Sequence, residues 1–300
     1  MRIEPNLELT QGRCETNRIR RLYVTDLDGT LLNADASLSA RSVCILKELL
    51  EEGLALTAAT ARTYYSVIPM LKELPIALPL ILQNGALLYD MAQRKILHAE
   101  TIAPDAFRTV CAAMRAHHVY GFVYCAEEGK LRCCYETIAT DSMRQFYMER
   151  RNRYEKPFVQ TEDLSALACC NPVYVTMNAP KEVLEPLVEQ LRGEKKLTLS
   201  YYRDVYREGI WYLEISADTA NKQHGIEMLR AMYGFEEAVG FGDNANDLPL
   251  FAACERKIAV ANAADILKEQ ADVIIGRNTE DAVAEYLQQE WRTLSWKKSI

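Results

Sequence analysis

The run Arg21-Leu22-Tyr23-Val24-Thr25-Asp26-Leu27-Asp28-Gly29-Thr30 sets a short β-prone stretch against two acids and a glycine. A short apolar strand that stops at carboxylates opens an α/β unit whose strand ends can carry chemistry. Residues 39–53 follow, with Val43, Leu46, Leu49 and Leu50 recurring at helical spacing. Residues 54–59 read as a second strand stopping at Thr60, 63–74 as a helix, and 78–82 as a third strand stopping at Gln83-Asn84-Gly85. Near-continuous apolar strands alternating with helices predict an α/β fold: a doubly wound, Rossmann-like parallel sheet buried on both faces.

Beyond the third strand the texture changes. Tyrosine-rich alternating stretches such as Gly121-Phe122-Val123-Tyr124-Cys125 and Val173-Tyr174-Val175-Thr176-Met177 are interleaved with helical patterns over 104–116 and 181–191. This predicts an inserted α+β domain over 89–207, with the core formed by 19–88 and 208–300 and a loosely held polar extension over 1–18. The core pattern resumes with Trp211-Tyr212-Leu213-Glu214-Ile215, a helix over 222–233, a strand over 237–241 ending at Gly242-Asp243, and a strand over 257–260.

Three hundred residues with 35 basic and 42 acidic side chains carry a net charge of −7. That balance argues against a sequence-independent grip on nucleic acid or an anionic membrane and favours a small soluble substrate. No run approaches the ~18 apolar residues of a membrane span, and the start has no signal-peptide block, so a cytoplasmic protein is expected, as a monomer or homodimer. Nine cysteines without disulfide-framework or zinc-knuckle spacing read as reduced thiols.

Asp26, Thr60, Asn84 and Asp243 all stand where a predicted strand ends, so four separate segments deliver polar groups to one sheet edge. Asp26 and Asp28, two apart, leave the same face of extended backbone, and Gly29 lets the chain turn beyond them. Clustered carboxylates repel one another and a phosphate, which calls for a hard cation such as Mg²⁺. Taken alone, Asp-x-Asp-Gly also reads as an Asx-rich turn, Thr60 as a helix cap and Lys222 as an ordinary surface lysine. Gly242-Asp243-Asn244-Ala245-Asn246-Asp247 likewise reads either as a metal loop or as a capped turn. A calcium loop fails for both acidic runs, because position twelve falls on Ser37 or Cys254. Eleven of the sixteen tyrosines lie between Tyr89 and Tyr212, as sheet packing or as stacking platforms. The basic set Arg144, Arg150, Arg151, Arg153 and Lys156 reads as a solvated helix face or a clamp for a second phosphate.

The ordered motifs Asp26 through Leu32, Thr60-Ala61-Arg62, Asn84-Gly85-Ala86, Lys222 and Gly242 through Pro249 resemble the haloacid dehalogenase superfamily, and more narrowly its Cof-like hydrolases. The resemblance implies a Mg²⁺-dependent phosphatase acting on small phosphorylated metabolites, sugar phosphates above all, through an aspartyl phosphate, with the inserted domain as a cap closing over the substrate. It implies Asp26 as nucleophile and Asp28 as general acid and base. Thr60 and Lys222 would bind the phosphoryl group, Arg62 and Asn84 would line the site, and Asn246, like Asp247, would support or complete the metal shell. Asp26, the Asp28 carbonyl and Asp243 would hold Mg²⁺, with Asp247 completing the shell. Ala61, Gln223 and Ala282 stand where relatives usually have glycine. Two rivals use the same residues: a phosphomutase or phosphotransferase that passes the phosphoryl group to a second hydroxyl, and a catalytically quiet sugar-phosphate-binding regulator.

Overall fold

The computed structural model describes residues 20–204 and 207–296; the expected extension over 1–18 and Tyr206 lie outside these. The described residues divide into two compact units, one within 1–97 and 221–300 and the other within 98–220.

The first unit opens with strand β1 (Arg21–Thr25), helix α1 (Ala40–Glu51), β2 (Leu56–Ala58), α2 (Tyr64–Leu71), β3 (Leu80–Leu82) and β4 (Leu87–Asp90), and β5 (Lys95–Ala99) spans the boundary at 97. The inserted unit contributes α3 (Pro104–Ala116), β6 (Phe122–Glu127), β7 (Lys130–Tyr135), α4 (Asp141–Tyr154), β8 (Phe158–Gln160), β9 (Pro172–Pro180), α5 (Lys181–Leu191), β10 (Leu197–Arg203) and β11 (Ile210–Ala217). The first unit then resumes with α6 (Lys222–Tyr233), β12 (Glu237–Gly242), α7 (Leu248–Ala252), β13 (Arg256–Val260), α8 (Asp265–Lys268), β14 (Val273–Ile275) and α9 (Ala282–Trp296).

The five-stranded sheet of the first unit runs β14-β13-β12-β1-β2, every pairing parallel. Leu22, Val24, Ala238, Phe241 and Ile258 are fully buried, as apolar strands covered on both faces must be. The helices follow from sequence locally. In α1 the Ser39 hydroxyl accepts the Ser42 N–H at 2.9 Å, and Ile45, Leu46 and Leu49 turn inward. α1 packs with α9, and α6 with α7. From β1 the chain advances to β2 on one side, while β12, β13 and β14 advance on the other, so the strand order reverses between β1 and β12. Ligand crevices of open α/β sheets form at that reversal, outside the carboxyl ends of the strands.

Two sequence expectations change in detail. The third strand shortens to β3 and joins the parallel sheet only through a bridge between Ala59 and Ile81, while pairing antiparallel with β4. The segment Trp211 to Ile215 is not a core strand. It lies in β11, antiparallel between β10 and β9 in the six-stranded sheet of the inserted unit. Cross-strand partners decide this: Leu213 sits opposite Met177 and Tyr201, and Ile215 opposite Val175 and Leu199. The second unit therefore runs to Ala220, and its core gathers Phe107, Val110, Val175, Leu184, Leu213 and Ile215 between that sheet and α3 and α5. The cysteines among the described residues are all free thiols. Among the described residues no helix is long and apolar enough to cross a membrane.

Candidate active site

β1 and β12 are neighbours in register, Thr25 opposite Phe241, and the Asp26 N–H donates to the Phe241 carbonyl at 2.9 Å. The residues that follow these strands, Asp26 and Asp243, therefore leave the sheet side by side at the point of reversal. β2 delivers Thr60 to the same edge through the Ala59 N–H on the Thr25 carbonyl and the Thr60 N–H on the Ile81 carbonyl, both 2.9 Å. β3 delivers Asn84, whose N–H donates to the Thr60 carbonyl at 2.9 Å.

Lys222, the first residue of α6, is 1 % exposed, so the surface-lysine reading does not apply to it. Its Nζ donates to Asp26 Oδ1 at 2.5 Å and to Asp247 Oδ1 at 2.6 Å. Burial alone would lower its pKa, but the two carboxylates outweigh burial and hold it raised. Asp247 is fully buried, and its second oxygen accepts the N–H groups of Asp243 at 2.9 Å and Asn244 at 3.1 Å. Both of its oxygens are thus committed, one to the lysine and one to the loop that carries Asp243. The capped-turn reading of this loop is realised, with Asn244 and Asp247 forming a capping box. Asn246, in the same turn, is exposed.

Asp26 has its carboxyl pushed up by burial and by Asp247, with Lys222 opposing. Asp243 is raised to about 6 by burial and by Asp247, partly offset by the Thr30 hydroxyl, which donates to its Oδ1 at 3.2 Å. Carboxylate oxygens of Asp26, Asp243 and Asp247 lie within 4.8 Å of one another. Three acids gathered against one ammonium leave negative charge in excess, and an all-oxygen donor set of this kind fits a hard divalent cation. Of the three, Asp26 and Asp243 suit direct ligation better than Asp247, whose oxygens already serve as acceptors elsewhere.

Asp28 meets a partner that the sequence did not disclose. Arg62 Nε donates to its Oδ2 and Arg62 Nη2 to its Oδ1, both at 2.6 Å, a two-point pairing that occupies both carboxylate oxygens. The Thr60 hydroxyl oxygen accepts the Arg62 N–H at 3.2 Å, which fixes the start of this turn. Ala61 is exposed and is not among the residues with positive φ, so its methyl strains nothing in the backbone there.

Sequence reading missed the supports of the Asp26 loop. Thr30 steadies Asp243, Asn262 Nδ2 donates to the Gly29 carbonyl at 2.8 Å, and Asn278 Nδ2 donates to the Leu32 carbonyl at 2.8 Å. Their partners lie more than two hundred residues away in sequence, so no local spacing announces them. Gly29 itself is required, since at φ +78 an added Cβ would strike the Asp243 carboxylate.

In the inserted unit the basic set divides. Arg144, Arg151 and Arg153 are exposed, but Lys156 is buried, its Nζ donating to the Tyr124 hydroxyl at 2.6 Å, and burial lowers its pKa to about 8. Tyr124 and Tyr174 are buried in the sheet and meet edge to face, as packing residues do.

A family model described as haloacid dehalogenase-like hydrolase matches residues 23–287. The 5-amino-6-(5-phospho-D-ribitylamino)uracil phosphatase YwtE of Bacillus subtilis is 25% identical over 289 residues, covering 88% of this chain and 96% of that protein. The pyridoxal phosphate phosphatase YbhA of Escherichia coli is 25% identical over 277 residues, covering 89% and 97%. A crystal structure of a haloacid dehalogenase-like hydrolase from Bacteroides thetaiotaomicron superposes with a TM-score of 0.74 at 22% identity, covering 90% of this chain and 99% of that one.

Proposed function

The chain belongs to the haloacid dehalogenase-like hydrolases, and from that premise we propose that it is a Mg²⁺-dependent phosphatase of small phosphorylated metabolites, sugar phosphates first among them. The observation that carries this reading is the Asp26–Lys222–Asp247 arrangement beside Asp243. Two relatives named for different phosphorylated metabolites support the substrate class without narrowing it.

In this mechanism an Asp26 carboxylate oxygen attacks phosphorus and the bond from phosphorus to the ester oxygen breaks. Lys222 and the Thr60 hydroxyl bind the phosphoryl oxygens, and the Lys222 ammonium opposes burial in favouring the ionised Asp26 that attacks. Asp28, protonated, gives its proton to the departing alkoxide. As carboxylate it then takes a proton from water, whose oxygen attacks phosphorus and releases inorganic phosphate and free Asp26. Because Arg62 holds both Asp28 oxygens, proton transfer requires Asp28 to turn out of that pairing, and a phosphate dianion is a suitable competitor for the guanidinium. Mg²⁺, when bound by Asp26, the Asp28 carbonyl and Asp243, supplies positive charge that offsets the phosphate and the clustered acids. Asn84 lines the site, Asp247 orients Lys222 and the Asp243 loop, and Asn246 lies at the rim. The inserted unit is the proposed substrate-selecting cap.

Phosphate release from a panel of sugar phosphates and cofactor phosphates, with Mg²⁺ and with chelator, tests the reading. Metal-dependent release that disappears in Asp26→Asn is expected. Release that survives that substitution removes Asp26 as nucleophile, and isomerised product in place of free phosphate identifies a mutase.

A further inference from the structure

The corner after β3 holds polar atoms that the mechanism leaves unused. Gln83 is 1 % exposed, and neither its Oε1 nor its Nε2 has a hydrogen-bond partner among the described residues; the Asn84 Oδ1 is likewise buried and unpartnered. Buried polar side chains are nearly always hydrogen-bonded, so a side chain with both ends unused needs a reason.

Backbone geometry at the same corner is also unusual. Gln83 and Asn84 have φ of +49° and +54°, left-handed values that side-chain-bearing residues adopt rarely, and two in a row are rarer. The surroundings hold the corner there. The Gln83 N–H donates to the Arg62 carbonyl at 3.1 Å and the Asn84 N–H to the Thr60 carbonyl, while Gly85 abuts the Asn221 backbone, one residue before Lys222. Unfavourable backbone kept by such bonds is characteristic of functional corners. Burial does not separate Gln83 from the proposed chemistry, since Asp26 is 4 % exposed and Thr60 1 %.

The unused atoms define their complement. One carboxamide offers a donor and an acceptor together, so it suits a neutral group that offers both, such as a hydroxyl. A phosphate dianion would meet the amide oxygen unfavourably. We propose that Gln83 is a specificity residue that binds a hydroxyl on the leaving group of the phosphate ester, an inference that rests on the phosphatase reading above.

The test compares Gln83→Met, similar in length but without the amide, and Gln83→Asn with the wild type on two esters. One is a sugar phosphate; the other, p-nitrophenyl phosphate, has no hydroxyl on its leaving group. An unpartnered buried amide can be lost without cost to the ligand-free fold, so the melting midpoint of Gln83→Met is expected to equal or exceed that of the wild type. Its kcat/KM on the sugar phosphate should fall about tenfold or more, while that on p-nitrophenyl phosphate stays within about twofold. Equal loss on both esters, or no loss on either, overturns the proposal. So does a lowered midpoint in Gln83→Met that Gln83→Asn restores, which identifies an amide satisfied by a structural water. Wild type that releases no phosphate from either ester with Mg²⁺ overturns the phosphatase reading, and this inference with it.

Discussion

Lys222 stands between two buried carboxylates, and its energetic role follows from that position. Removing one member of a buried charged set leaves the others without compensation, at a cost of about 3–5 kcal/mol. Lys222→Met should therefore abolish turnover and lower stability by about that amount near neutral pH. Burial already pushes the Asp26 carboxyl up, and its protonation relieves the deficit, so denaturant titrations should show the deficit shrinking as the pH is lowered. A deficit independent of pH would mean that packing, not charge, is lost. Legibility differs sharply among these residues. Asp26 and Asp243 announce themselves because an acid directly after an apolar strand is conspicuous. Lys222 gained meaning only from its place in a series, and the pairing of Arg62 with Asp28 needed coordinates, since 34 residues separate the partners.

Elements position these residues through a few tight approaches. At Gly85 an added Cβ would collide with the Asn221 backbone, and φ is +101. Asn221 caps α6, its side chain accepting the His224 N–H at 2.9 Å, so a shift there moves the start of the helix that carries Lys222. Gly85→Ala is expected to cost about 1–3 kcal/mol and to reduce kcat as well, read by thermal melts and steady-state rates. Stability loss with full activity would separate the corner from the lysine. Elements were legible wherever period and length agreed: β1, α1, β12 and α6 stand close to where their patterns put them. β11 was not, because a five-residue run with four apolar side chains around Glu214 reads alike in a buried parallel strand and in an antiparallel sheet covered on one face. Only its partners in β9 and β10 tell the two apart.

Across the molecule, charge ties the proposed metal binding to pH. The Asp243 carboxyl stands at about 6 in place of 3.8, because burial and then Asp247 disfavour its ionised form. Between those values the folded protein keeps a proton that the unfolded chain has released, so raising the pH through that window removes stability from metal-free protein. A divalent cation binds the ionised form, so the gain in melting midpoint on adding Mg²⁺ should be larger at about pH 7.5 than at about pH 5. Calorimetry with and without Mg²⁺ checks this, and equal gains at both would detach Asp243 from the metal. One feature of the sheet also bears on how the protein is made. β1 has β12 as its neighbour, and the paired residues Arg21 and Glu237 are 216 positions apart. At ribosomal speeds of roughly 5–20 residues per second, β1 waits about 10–40 s for that neighbour. During most of the wait one edge of an apolar strand is unpaired in the nascent chain, and the proposed nucleophile has been synthesised but Lys222 has not. The proposed site is therefore incomplete until Asp243 has been made, and the edge of β1 stays unpaired until β12, which falls within the last quarter of the chain, is translated.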